Sequence, residues 1–149
     1  MTLLALDPGT YKTAWLVLED GTIRSHGIDD NETVLAMLSQ SLFKPRPDFV
    51  VAEMIAAYGM AVGKEVFETC VWIGRFMEAA QCPFHRTFRK DVKLHLCGTM
   101  RAKDANIRQA LLDRLGPQGT KKEQGPTYGI KSHEWAALAV AIHAFDTMQ

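Results

Sequence analysis

Apolar and polar positions alternate between two rhythms along this chain. Leu3-Leu4-Ala5-Leu6 is an unbroken apolar run that predicts a buried strand over residues 2–7, closed by Asp7 and a Pro8-Gly9 turn. A second strand is predicted over residues 12–19, and Asp20-Gly21 is a strong hairpin signal leading to a third strand at residues 22–27. The period then lengthens. Asp29-Asp30-Asn31 offers N-caps to a helix carrying Val34, Leu35, Leu38 and Leu42 on one face, and Pro45 and Pro47 close that unit. Phe49-Val50-Val51-Ala52-Glu53 predicts a fourth strand, again ending in an acid. A loop at residues 56–60 leads to a long helix with Val66, Cys70, Ile73 and Met77 at helical spacing. Residues 84–88 predict a short fifth strand.

Two more helices complete the pattern. One runs from about Lys103 to Leu115, with Asp104 in its first turn, Ile107, Ala110 and Leu111 facing inward, and Gly116-Pro117 as its stop. The other runs from about Ser132 to Met148, with Ser132 as its N-cap and Trp135, Leu138, Ala139 and Ile142 inward. Residues 118–131 between them are polar and hold three glycines, which predicts a mobile loop. Three antiparallel strands, then strands alternating with helices, predict an α/β fold: a five-stranded mixed sheet flanked by helices on both faces.

Length and composition suit one compact domain over residues 1–149, since 47% of the residues are hydrophobic. No apolar stretch approaches the roughly 20 residues that span a bilayer, and the first residues do not read as a signal peptide. A cytoplasmic protein with no membrane partner is expected. The three cysteines, Cys70, Cys82 and Cys97, make no C-x-x-C pair, which argues against a zinc knuckle or a disulfide framework. Net charge is zero, but it is unevenly placed. Residues 86–131 hold 11 Lys or Arg against 4 acids, whereas the rest holds 6 against 13. The basic stretch suits phosphates, and the acidic part carries the strand-end carboxylates.

Those carboxylates are the chemical signal. Acids are depleted in strands, and a buried carboxylate has to be paired, hydrogen-bonded or bound to metal. Asp7 and Glu53, each ending an apolar strand, point to a cation site for phosphodiester chemistry. Hard divalent ions take oxygen ligands, and ions at such a site can activate a water and stabilise the leaving oxygen. The cation expected is Mg²⁺, with Mn²⁺ able to substitute.

The order of elements and motifs resembles the ribonuclease H-like fold, and more closely the RuvC family of Holliday junction resolvases. Four stretches carry the resemblance: Ala5-Leu6-Asp7-Pro8-Gly9-Thr10; Val50-Val51-Ala52-Glu53; Val92-Lys93 with Gly98 and Arg101-Ala102; and Ala137-Leu138-Ala139-Val140-Ala141-Ile142. The resemblance implies a homodimeric, magnesium-dependent nuclease that recognises four-way DNA junctions and nicks two strands symmetrically. By it, Asp7 and Glu53 hold metal, Lys93 supports the scissile phosphate, and the last helix supplies the remaining ligands. The chain departs from the family pattern on that helix, with His133 and Ala136 where the family places acids or a His and an Asp. Three readings stay open. Glu134 substitutes as a ligand, the site works with Asp7, Glu53 and His133 alone, or the chain is a weakened or inactive form.

Lys90, Lys93, Arg101, Lys103 and Arg108 are expected DNA contacts, which would position a backbone without reading sequence. Tyr58 and Met60 stand in the loop where the family presents an aromatic residue to a junction base. Trp15, Trp72 and Trp135 are assigned to the core, and His26, His85, His95 and His143 to structural or surface roles. The function expected is a structure-selective endonuclease acting on four-way or otherwise branched DNA, with no small-molecule substrate. The alternatives are a junction-binding protein that does not cut, and a ribonuclease H-like enzyme acting on RNA–DNA hybrids.

Overall fold

The computed structural model describes residues Met1–Met148. Five strands form one sheet: β1 (Thr2–Pro8), β2 (Lys12–Glu19), β3 (Thr22–Asp30), β4 (Phe49–Met54) and β5 (Phe84–Phe88), in the order β3-β2-β1-β4-β5. The β1–β2 and β2–β3 pairs are antiparallel, and β1–β4 and β4–β5 are parallel. The β2–β3 hairpin turns on Asp20 and Gly21, both at positive φ (49° and 81°), the pairing that matches the strands' own twist.

The helices are α1 (Asn31–Ser39), α2 (Lys64–Ala79), α3 (Arg89–Cys97), α4 (Asp104–Leu115) and α5 (Glu134–Thr147). They cover both faces. Because side chains alternate along a strand, β1 divides its apolar run between two cores. Leu4 and Leu6 pack with Val17, Val50, Val34, Leu38 and Phe76, beneath α1 and α2. Leu3 and Ala5 pack with Val51, Val92, Ile107, Leu111 and the apolar side of α5, on the face that α3, α4 and α5 share. Helix α5 is buried nearly all round from Ala137 to Ala144, so it is a central element rather than a surface amphipathic one. Among the described residues no helix is long and apolar enough to cross a membrane.

Several local expectations are corrected. Helix α1 ends at Ser39, leaving Leu42 outside it and half-exposed. Helix α2 turns Thr69, Ile73 and Phe76 inward, not Val66, Cys70 and Met77, because Phe76 fills the core against Leu4 and Leu6. The basic stretch after β5, where no element is expected from sequence, folds as α3. Residues 118–131, expected to be a mobile loop, are tied down. Thr127 is buried and its hydroxyl donates to the Gly116 carbonyl (2.9 Å), the Gln118 amide donates to the Ile130 carbonyl (2.9 Å), and Ile130 enters the core.

Candidate active site

Strand parity places the two acids. In the parallel β1–β4 pairing Ala5 lies opposite Val51 and Leu6 opposite Ala52. One residue further, Asp7 and Glu53 leave the sheet side by side, on the face shared with Ala5, Val51 and α5. The turn after Asp7 is held rigidly. Asn31, buried at the start of α1, accepts from the Thr13 hydroxyl (2.6 Å) and donates to the Gly9 carbonyl (2.9 Å). Gly9 is needed for a close approach, since a Cβ there would stand 2.6 Å from the Lys12 carbonyl oxygen. The Thr10 hydroxyl reaches Thr69 of α2 at 3.3 Å. Asp7 thus sits on a turn fastened to β2, α1 and α2.

Together the acids form the floor of a cleft of about 840 Å³, lined also by Tyr58, Arg89, Arg108, His133, Trp135 and Ala136. Burial pushes the Asp7 carboxyl up to about 8, helped by the charge on Glu53 and by a hydrogen bond with it. His133, just ahead of α5, hydrogen-bonds through Nδ1 to Asp7 Oδ2 at 3.1 Å and is itself largely exposed. Of the expected site residues, the structure brings Asp7, Glu53 and His133 together.

Glu134 is a correction. It is only 2% exposed, and its Oε1 lies 2.8 Å from His26 Nδ1 of β3 and accepts from the Lys131 backbone N–H at 3.3 Å. Successive helical residues point about 100° apart, so with His133 aimed at Asp7 its neighbour is turned to the sheet's far strand. Glu134 clasps β3 to the start of α5 and does not face the carboxylate pair. His26, assigned no specific partner, is the other half of that clasp.

The expected DNA contacts divide. Tyr58 and Arg108 line the cleft; Arg108 stacks its guanidinium 4.7 Å from the Trp135 ring centre, and Lys90 lies 5.7 Å from the ring centre of Tyr58. Met60 is exposed outside the cleft wall, as are Arg101 and Lys103, the latter forming the N-cap of α4. Lys93 is half-buried on α3 and does not line the cleft, although it lies one helical turn beyond a residue that does.

That residue, Arg89, was missed by sequence reasoning. Its guanidinium donates to Glu53 Oε1 (3.3 Å) and pairs on its other side with Asp104 of α4. Burial opposes its charge, but the flanking acids more than compensate and hold its pKa above the ordinary value. No local pattern marks it; the strand pairing does. Glu53 pairs with Thr87 in the parallel β4–β5 ladder, so Arg89 leaves the sheet two residues later at the same edge. Three adjacent parallel strands therefore deliver an acid, an acid and an arginine to one end. Trp135, assigned to the core, also proves to be part of the cleft wall.

Two adjoining carboxylates with an imidazole beside them are a donor set that fits a hard divalent cation. Among the described residues no three His, Cys, Asp or Glu side chains converge into a ready-made cage.

No family model matches the chain, and no curated protein matches its sequence. Solved structures do match in shape. Thermus thermophilus RuvC superposes with a TM-score of 0.70 over 97% of this chain and 93% of its own, at 19% identity. The T. thermophilus RuvC structure in complex with a Holliday junction substrate gives a TM-score of 0.71 over 99% and 96% of the two chains, at 18% identity. The fold is that of RuvC. It is ribonuclease H-like, as the strand order and the resemblance together led us to expect.

Proposed function

We propose that the protein is a metal-dependent, structure-selective DNA endonuclease that resolves four-way or otherwise branched DNA by paired nicks. The observation that carries this reading is the Asp7–Glu53 pair on the floor of a cleft walled by Tyr58, Trp135 and the guanidinium groups of Arg89 and Arg108. Paired acids and stacking rings beside fixed cations suit a phosphodiester backbone with an unstacked base nearby. The match in shape to RuvC, one of whose solved forms holds a Holliday junction, supports the choice of substrate.

Asp7 and Glu53 would hold Mg²⁺ or Mn²⁺, with His133 beside Asp7 as the third donor. The bound cation would activate the attacking water and draw off charge on the phosphate. The protein does the rest. The pinned turn at Gly9 and Thr10 keeps Asp7 from retreating into solvent, and His133 fixes the direction of one Asp7 oxygen. Arg108, braced on Trp135, offers a cation to a neighbouring phosphate, and Tyr58 offers a face to a base. Lys93, one turn along α3 from Arg89, would meet the backbone outside the cleft.

Symmetric nicking calls for two such sites, and hence a homodimer. Helix α2 supports one, since Phe67 and Val71 stand exposed at 61% and 58% on the same side, one turn apart. An enzyme with this substrate would work in the cytoplasm.

One observation favours a second reading, a junction-binding protein that does not cut. Ala136 faces the cleft where the resemblance calls for an Asp. Incubation of a labelled synthetic four-way junction with Mg²⁺ or Mn²⁺, beside linear duplex and RNA–DNA hybrid, separates the two. Paired nicks in opposing arms are expected. A gel shift of the junction with no nick at any metal concentration selects the second reading, and preferential cleavage of the hybrid makes the protein a ribonuclease.

A further inference from the structure

We propose that each chain takes a single divalent cation, on Asp7 and Glu53, and that Arg89, clamped between Glu53 and Asp104, is a built-in cation standing where a second ion would otherwise bind. This rests on the metal-dependent reading above and sets its count at one ion plus one arginine.

Three features of the cleft converge on this count. The first is occupancy. The guanidinium already donates to Glu53 Oε1 at 3.3 Å and pairs with Asp104 on its far side, so the outer flank of Glu53 is taken by a positive charge. Asp104 itself is exposed at the head of α4, and its carboxylate there suits the helix N-terminus as well as the arginine. Arg89 is thus held from two elements, β4 and α4, and keeps its charge at any accessible pH.

The second is the lack of donors on α5. His133 and Ala136 stand three residues apart on the side of α5 that meets the cleft, with Ala139 and Val140 a turn further on. Only His133 carries a ligating atom. Glu134, the one acid at that end of the helix, is committed to His26. A second ion bridging Glu53 to α5 would find no carboxylate there, only the Ser132 hydroxyl and the His133 imidazole.

The third is charge. With an ion bound and Asp7 ionised, Asp7, Glu53 and Asp104 set three carboxylates against the single guanidinium of Arg89. The net two negative charges match one divalent ion, whereas a second would leave uncompensated positive charge in a partly buried site. A fixed guanidinium does part of what a second ion does. It holds positive charge beside the phosphate, without the cost of assembling an ion and its shell.

The test is a count of bound Mn²⁺ by electron paramagnetic resonance of the free ion, near neutral pH, on the full-length protein. Asp7→Asn serves as the blank that removes adventitious surface sites. Wild type is expected to bind one Mn²⁺ per chain above that blank, and Arg89→Lys, which keeps the charge, to bind one as well. Arg89→Gln exposes Glu53 and Asp104 to one another across the vacated space and is expected to bind two. Circular dichroism confirms that each variant is folded. Two ions on the wild type overturn this inference and leave the nuclease reading standing. So does Arg89→Gln remaining at one. No ion on the wild type, at concentrations where Mn²⁺ supports cleavage by such sites, overturns the metal-dependent reading and this inference with it. Should Arg89→Gln not fold, the wild-type count decides alone.

Discussion

Two aspartates, each beside a histidine, lie near opposite ends of α5, and they are in opposite states. At the far end Asp146 takes a two-pronged contact from Arg114 of α4 and a 2.6 Å hydrogen bond with His95 of α3. The Arg114 bond, with His95 assisting, holds its carboxyl below the ordinary range. This carboxylate is satisfied, and its work is to tie α3, α4 and α5 together. At the near end Asp7 is half-buried against Glu53, with one exposed histidine for company, and its carboxyl is pushed up to about 8. Both sites contain an arginine, yet Arg89 is spent on Glu53 and Asp104 rather than on Asp7. A fold can neutralise a partly buried acid completely when only stability is at stake. An acid left short of cations beside a second acid is a candidate ligand site.

The sharpest way to break this contrast is to neutralise each acid in turn. Asp7→Asn is expected to lower junction cleavage by about three orders of magnitude or more while retaining junction binding. Retained cleavage would show that Asp7 holds no essential ion, and the contrast between the two aspartates would lose its meaning.

The next effect concerns pH. The folded protein holds the Asp7 proton that the unfolded chain releases, between the ordinary value of 3.8 and about 8. Stability with a chelator present should therefore fall as pH rises through that window. In Asp7→Asn the slope should flatten, and added Mg²⁺ should restore stability to the wild type near pH 8. For Asp146 the sign is reversed, since its carboxyl is held low. Its contribution is in place above the ordinary carboxylate range and is lost as pH falls below it. Urea melts at a series of pH values measure both, and a wild type whose stability is indifferent to pH above 4 would count against a frustrated Asp7.

Glu134→Gln tests the clasp to His26. It should cost about 1–2 kcal/mol in a urea melt, by weakening a buried charged hydrogen bond, and leave cleavage within about twofold. A loss of cleavage as deep as that of Asp7→Asn would return Glu134 to the metal site. The smallest effect is expected at the far end of α5. Asp146→Asn should cost about 1 kcal/mol, since the contact is partly exposed and screened, and leave cleavage unchanged.

Much of the fold and half of the site could be read from the residues in order. The apolar runs before Asp7 and Glu53 are strands, and a period of two sends alternate side chains to opposite faces whatever else packs there. An acid one step past such a run therefore emerges at the end of its strand. The Asp20-Gly21 turn and the sequence of strands and helices follow from similarly local rules.

Only the tertiary structure decided the rest, because a helix's rotation about its own axis is set by what it docks against. His133 and Glu134 are adjacent residues, equally able on paper to meet Asp7. The buried seat of α5 turns one to the cleft and the other to His26. Helix α2 likewise presents Phe76 rather than Met77 to the core. Arg89 became visible only once β1, β4 and β5 lay side by side and α4 brought up Asp104. Local sequence determined which elements form and which acids end them, since backbone sterics and side-chain alternation act within a few residues. Packing between distant segments determined which charges meet, and with them the balance between Asp7, Glu53 and Arg89.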